Sequence, residues 1–143
     1  MTKQGNVQPY LFFEGQCAEA VEFYRRALGA EVEMMMHYKD SPEPPPPGCA
    51  PPDPNKVMHV SFRVGETQVR ASDGRCSGKP SFQGFALSLT VGTPAEADKA
   101  FNALADGGKV QMPMSKTFFS ERFGMVADRF GVLWMVLVTP HES

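Results

Sequence analysis

The chain repeats itself, and that repetition constrains its fold more than any single motif does. Gly15, Ala18, Glu19, Ala20 and Tyr24 recur as Gly92, Ala95, Glu96, Ala97 and Phe101, a constant 77 residues on (92 − 15). Val60, Val64-Gly65 and Val69 recur as Val126, Phe130-Gly131 and Met135, 66 residues on (131 − 65). Each match is weak alone, but their shared order identifies the duplication of one supersecondary unit. The offset shrinks because the first copy carries an insertion. Eight of the 13 prolines fall within Ser41 to Pro54. Proline lacks the backbone N–H and fixes φ, so this stretch is excluded from helix and central strand and reads as a polyproline-II surface loop over residues 41–55.

Two helices are signalled. Cys17, Val21, Tyr24 and Leu28 share one helical face, and Gly29 supplies the stop. The second helix opens on Thr93-Pro94-Ala95-Glu96, with Thr93 as N-cap, Pro94 at the first helical position and Glu96 completing a capping box. Ala97, Ala100, Phe101 and Leu104 form its apolar face, and Gly107-Gly108 end it. The remaining segments read as strands: 7–13, 31–38, 57–64, 67–71, 85–91, a short one near 109–112, 124–128 and 132–138. The order is βαβββ twice. The sequence predicts an α+β protein, one structural domain over 1–143 made of two modules, approximately 5–75 and 82–139.

Composition excludes several classes of function. The formal net charge is −2, with no basic surplus to neutralise a run of phosphates, so no nucleic-acid partner is expected. The longest apolar run, Val132 to Val138, is far short of the roughly 20 residues a membrane span needs, so no membrane association is expected. Residues 1–6 are polar and carry no apolar signal core. Cys17, Cys49 and Cys76 are odd in number and form no CxxC pair, which indicates neither a disulfide framework nor a zinc ribbon. A reducing cytoplasm is the expected setting.

Several segments taken together carry a family resemblance: Pro9-Tyr10-Leu11-Phe12-Phe13, Ala20-Val21-Glu22-Phe23-Tyr24, Lys56-Val57-Met58-His59 and Ala71-Ser72-Asp73, then Val110-Gln111-Met112-Pro113-Met114, Arg122-Phe123-Gly124-Met125-Val126 and Asp128-Arg129-Phe130-Gly131-Val132. In this order they resemble the vicinal-oxygen-chelate superfamily, which includes glyoxalase I, extradiol dioxygenases and bleomycin-resistance proteins, and within it the PhnB-like branch. The resemblance implies paired βαβββ modules whose curved mixed sheets form a cleft, usually in a homodimer; open sheet edges also call for such cover. Relatives of this branch often carry the label 3-demethylubiquinone-9 3-methyltransferase. The residues give that label no support. S-adenosylmethionine is usually held by a Gly-rich turn between a strand and a helix of a parallel sheet, and this chain has neither a GxGxxG nor an alternating parallel pattern.

Metal-dependent members of the superfamily place His, Gln or Glu on the first and fourth strands of each module. The resemblance carries these four places onto Pro9, Val69, Ala86 and Met135, which are not ligands for a hard divalent ion. A slip of one residue gives Gln8 or Tyr10, Gln68 or Arg70, Phe85 or Leu87, and Trp134 or Val136. Gln8 and Gln68 are then the available donors, and the second module supplies no carboxylate or histidine. The metal site therefore reads as lost, with no cofactor expected, although a divalent metal held by rearranged ligands stays open. Glyoxalase-type isomerisation needs a metal to polarise a carbonyl and a carboxylate to move the proton.

Strand alternation puts Met58, Val60, Phe62 and Val64 beneath a helix and Val57, His59, Ser61 and Arg63 on the opposite face. The expected cleft lining is Pro9, Leu11, Phe13, His59, Ser61, Val69, Ser88 and Met135, with Phe118 and Glu121 in a lid-like approach to a strand. Such an apolar cleft with a few polar groups suits a small, partly hydrophobic organic ligand. His59 is the best catalytic candidate, since an imidazole suits proton transfer near neutrality; a strand histidine bonded to a neighbour is the alternative. Cys17 and Met34 to Met36 read as packing, and Asp128-Arg129 as a turn that orients the final hairpin. His37 and His141 fall at a strand end and in the tail. The leading expectation is a metal-independent ligand-binding protein. The alternative is a lyase, isomerase or dioxygenase-type enzyme with rearranged metal ligands or a metal-free mechanism through His59.

Overall fold

A computed structural model describes residues 7–13, 15–40, 54–73 and 82–139. Residues 41–53 of the proline-rich insertion, Cys49, Cys76 and His141 lie outside the described residues. The chain divides into two units, Met1–Pro80 and Ser81–Ser143. Each is a βαβββ module, as the duplication predicts, and each forms a four-stranded mixed sheet.

The first unit runs β1 (Tyr10–Phe12), α1 (Cys17–Leu28), β2 (Glu31–His37), a 3-10 turn (Tyr38–Asp40), β3 (Val57–Val64) and β4 (Thr67–Ser72). Its sheet has the order β1-β4-β3-β2, with β1 parallel to β4 and the other pairs antiparallel. Helix α1 begins without a side-chain cap from its own N-cap residue, Gln16. Its first free N–H is satisfied from across the module instead: Cys17 N–H donates to Asp73 Oδ1 at 2.7 Å. The same carboxylate accepts Gly15 N–H at 2.7 Å and, through Oδ2, Val57 N–H at 2.8 Å. Asp73 thus ties the β1–α1 turn and the start of β3 to the end of β4. The helix stops at Gly29, which adopts the left-handed conformation and returns its N–H to Arg25 O.

Helix α1 buries Ala20, Val21, Phe23 and Tyr24. Tyr24 stacks on Phe62 of β3 with centroids 6.0 Å apart and meets Phe13 at 6.4 Å. Burial of each such large side chain contributes roughly 1.5–3 kcal/mol. Cys17 lies fully inside this layer, consistent with packing. Burial pushes its thiol well above the ordinary range, and the Asp73 charge adds to the shift, so it stays protonated and inert.

The second unit runs β5 (Leu87–Val91), α2 (Pro94–Ala105), β6 (Lys109–Ser115), β7 (Phe123–Ala127) and β8 (Leu133–Val138). Its sheet order, β5-β8-β7-β6, repeats that of the first unit. The Thr93 half of the predicted capping box forms, with Glu96 N–H donating to Thr93 Oγ1 at 3.2 Å and Pro94 in the first turn. The reciprocal half does not, because the Glu96 carboxylate accepts from the Thr93 hydroxyl, at 3.3 Å, and not from its backbone N–H. Strand β6 continues to Ser115, beyond the short strand expected near 109–112. It keeps Pro113 because β6 is an edge strand, where a missing N–H costs no ladder bond.

The core of this unit joins Ala97, Phe101 and Leu104 of α2 to Val126, Trp134 and Val136. Asp128, also buried, accepts Phe130 N–H and Val132 N–H on Oδ1 and the Trp134 indole N–H on Oδ2. It shapes the turn into β8, as its place in the sequence suggests. Among the described residues, no helix is long and apolar enough to cross a membrane.

Candidate functional site

Each sheet carries its helix on one face, so the opposite, helix-free face of each module is the place to look for chemistry. Cross-strand pairing decides which side chains share that face, because paired residues point the same way. In the first module Leu11 pairs with Ala71, Ala71 with Val60, and Val69 with Phe62. Phe62 stacks on the helix residue Tyr24, so this whole set lies under α1. Leu11 is 1% exposed, Phe13 0% and Val69 4%. The predicted lining therefore divides: Leu11, Phe13 and Val69 sit in the helix-covered core, whereas His59 and Ser61 sit on the helix-free face. Pro9 lies just before β1, half-buried, with its carbonyl accepting Arg70 N–H.

The helix-free face gains two residues that sequence reasoning did not single out as lining. Tyr10 pairs with Arg70, and Arg70 with Ser61, which in turn pairs with Met34. A row of phenol, guanidinium, hydroxyl and thioether thus crosses the sheet from β1 to β2. The Tyr10 hydroxyl hydrogen-bonds His59 Nδ1 at 3.1 Å, and the two rings lie 5.7 Å apart. Phe12 flanks Tyr10 at 4.9 Å. No short-range motif announces these contacts, since Tyr10 and His59 are 49 residues apart in the chain.

Electrostatics keep His59 neutral near pH 7. Partial burial lowers its pKa below the ordinary 6.5, and the Arg70 guanidinium lowers it further. A neutral imidazole beside a phenol accepts or relays a proton. Because its folded pKa is depressed, the unfolded chain binds the proton more readily. The His59 contribution to stability is therefore complete above pH 6.5 and fades as pH falls through the folded pKa. NMR titration of the His59 ring is expected to give a midpoint below 6.5 that rises in Arg70→Met. A native midpoint at or above 6.5 contradicts this electrostatic account.

In the second module Ser88 pairs with Met135 and Met135 with Met125, which pairs with Met112. Ser88 and Met135 are thus brought together, on the face away from α2. Phe119 packs against Phe123 of β7 at 5.3 Å, and Phe118 against Phe119 at 5.2 Å. Phe118 itself is 97% exposed, and Glu121 is exposed. Their segment is anchored by Ser120, whose buried hydroxyl reaches the carbonyls of Arg122 and Val138, and by the Arg122–Asp98 ion pair at 2.7 Å.

The paired helix-free positions on first and fourth strands are Tyr10 with Arg70 and Ser88 with Met135. The register in the first module is therefore one residue from Pro9 and Val69. Neither pair fits a hard divalent ion: a phenol with a guanidinium in the first module, a hydroxyl with a thioether in the second. Among the described residues, no three His, Cys, Asp or Glu side chains form a group able to hold a metal. Gln68, a donor considered from sequence, is engaged with Glu33 at 2.9 Å.

Two βαβββ modules, each a mixed sheet with a helix on one side, define the glyoxalase/bleomycin-resistance/dioxygenase class of folds. A glyoxylase/bleomycin resistance protein/dioxygenase domain from Frankia sp. EAN1pec shares the fold at 13% identity and a TM-score of 0.64, over 99% of this chain and 96% of that one. Within that class the chain belongs to the 3-demethylubiquinone-9 3-methyltransferase family, which it matches over residues 5–137. It is 37% identical to protein YjdN of Escherichia coli K12, over 95% of this chain and 97% of YjdN. The crystal structure of protein PA1353 from Pseudomonas aeruginosa superposes with a TM-score of 0.81 at 42% identity, covering 95% and 98% of the two chains. The PhnB protein of Bacillus cereus gives 0.78 at 25% identity, covering 94% and 100%.

Proposed function

We propose that this PhnB-like protein binds a small, partly hydrophobic organic molecule without a metal, on the helix-free sheet faces, and acts as a homodimer in a reducing compartment such as the cytoplasm. The observation that carries this reading is the row Tyr10–Arg70–Ser61 with His59 and Phe12 beside it: aromatic surface and a few convergent polar groups, as small-molecule sites require. In the second module Met125 and Met135 supply the apolar part of the helix-free face beside Ser88, with the Phe118–Phe119 pair and Glu121 as its border in this reading. The family's description names a methyl transfer, but the described strand-to-helix turns, β1–α1 and β5–α2, carry single glycines, Gly15 and Gly92, where a methyl-donor site calls for a Gly-rich loop. Edge strands β2 and β6 expose Val32, Met34, Val110 and Met112, which favours cover by a second copy.

The test is equilibrium dialysis of the full chain against a panel of aromatic and aliphatic amphiphiles, with light scattering on the same sample. A saturable binder is expected, weakened about tenfold by Tyr10→Ala, together with a mass of twice 15.7 kDa. If no panel member saturates, or Tyr10→Ala leaves every affinity unchanged, the binding reading fails; a mass of one protomer removes the dimer. An acid–base enzyme is the second reading, favoured by the Tyr10–His59 hydrogen bond. It requires His59→Ala to abolish turnover of the bound compound while the fold persists.

A further inference from the structure

Arg70 differs from every other arginine among the described residues in having no carboxylate. Arg25 and Arg26 lie against Glu22, Arg63 against Glu31, Arg122 against Asp98 and Arg129 against Asp106. Arg70 makes no ion pair and no side-chain hydrogen bond among the described residues, although it stands mid-sheet on β4, paired with Tyr10 on one side and Ser61 on the other. Its neighbour His59 brings no compensating negative charge. A second observation points the same way. Ser61 is only 6% exposed, yet its hydroxyl also has no hydrogen-bond partner among the described residues. A buried hydroxyl is ordinarily satisfied, and an unsatisfied one in a native fold calls for an explanation. Here a cation without an anion and a donor without an acceptor occupy directly paired positions on one face.

Resting on the ligand-binding reading above, we propose that the helix-free face of the first module takes the carboxylate of a small organic acid, with Arg70 and Ser61 as its anion contacts and the Tyr10–Phe12 aromatic pair as the bed for its apolar part. A guanidinium presents a planar fork matched to two carboxylate oxygens, and a charge-assisted hydrogen bond is about twice as strong as a neutral one. The Ser61 hydroxyl, at the floor of the face, donates to the same group and gains the acceptor that the fold does not give it. Tyr10 and Phe12, 4.9 Å apart, supply aromatic surface beside the cation, and Met34 at the far end of the row supplies an adaptable apolar contact.

The probes are 2-naphthoate and its uncharged isostere 2-naphthamide, titrated calorimetrically into the full chain and into Arg70→Met, Arg70→Lys and Ser61→Ala. Naphthoate is expected to bind at least tenfold more tightly than naphthamide. Arg70→Met should weaken naphthoate tenfold or more and leave naphthamide unchanged, Arg70→Lys should restore part of the loss, and Ser61→Ala should weaken naphthoate severalfold. Thermal melts identify any variant that fails to fold; Arg70 is exposed, so Arg70→Met is expected to melt as the native chain does. Equal binding of acid and amide, or naphthoate affinity indifferent to Arg70→Met, overturns the carboxylate assignment while leaving a ligand-binding face intact. Failure of both probes to bind the native chain overturns the carboxylate assignment, while the ligand-binding reading stands or falls with the amphiphile panel.

Discussion

Asp73→Ala is expected to cost the protein about 4 kcal/mol or more of stability, read from the urea midpoint. The carboxylate is 9% exposed and accepts three backbone N–H groups, those of Gly15, Cys17 and Val57, at 2.7, 2.7 and 2.8 Å. Alanine leaves all three donors without an acceptor; those of Cys17 and Val57 are buried, where each unsatisfied donor costs roughly 1–3 kcal/mol, and the part-buried Gly15 N–H adds less. No side chain at Gln16 takes over the helix cap. Against a typical total stability of about 5–15 kcal/mol, a loss of this size leaves the first module close to unfolding. Hydrogen exchange should accelerate first at the amides of Gly15, Cys17 and Val57. Asp73→Asn keeps one acceptor oxygen and should fall between alanine and the native chain. A loss under about 1 kcal/mol for Asp73→Ala would falsify the view that this residue joins the module's three segments.

Gly124→Val is expected to destabilise the second module by about 3 kcal/mol. The position lies in β7 beneath α2, and a Cβ there would stand 2.9 Å from Phe101 Cε2, 3.1 Å from the Met112 carbonyl oxygen and 2.5 Å from Met114 Sδ. The methionine sulfur moves aside at little cost. The Phe101 ring, buried in the core, and the Met112 backbone do not. Forcing extra methyl groups into such a site costs about 1–3 kcal/mol, and valine brings two beyond the Cβ. Its better strand propensity returns less than about 1 kcal/mol. The cause is checked by a double-mutant cycle with Phe101→Ala, in which relief of the clash should make the pair less destabilised than the sum of the singles. Strict additivity would place the strain elsewhere.

Much of this fold was legible because its signals are local. The Thr93 cap, the Gly29 stop and the alternation that separates Val60 and Phe62 from His59 and Ser61 all depend on residues within a few positions of each other. The sides of β1 and β4 were not legible in that way. Leu11, Phe13 and Val69 read as lining because they share the face of the metal positions implied by the resemblance, Pro9 and Val69, but their partners Ala71, Val60 and Phe62 place them under α1. Tyr10 and Arg70 enter the sequence reading only as one-residue alternatives for metal ligands, because each is ordinary until the parallel pairing of β1 with β4 sets them side by side. Asp73 stood in a recognisable Ala-Ser-Asp segment, yet its three donors come from distant parts of the chain, and only the closed module assembles them.

The register difference between the modules has its own cause, and it bears on how such duplicates diverge. Strands β3 and β4 meet across Gly65-Glu66, with Val64 opposite Thr67, whereas β7 and β8 meet across residues 128–132, with Ala127 opposite Leu133. Both turns place a glycine at positive φ, at Gly65 and Gly131, so matching by glycine looks sound. But two residues and five differ by an odd number, and a strand exchanges its faces with every odd step. Residues at matched distances beyond the two glycines therefore point oppositely: Val69 inward beneath a helix, Met135 away from one. The 66-residue offset is unchanged across the turn, so the second module draws three more residues of the same length of chain into its turn, and that odd shift of register turns the strand's faces over. After duplication, turn length becomes a heritable variable that decides which half of each strand's alphabet selection for binding can reach, and two halves of one gene can acquire different faces without losing their common core.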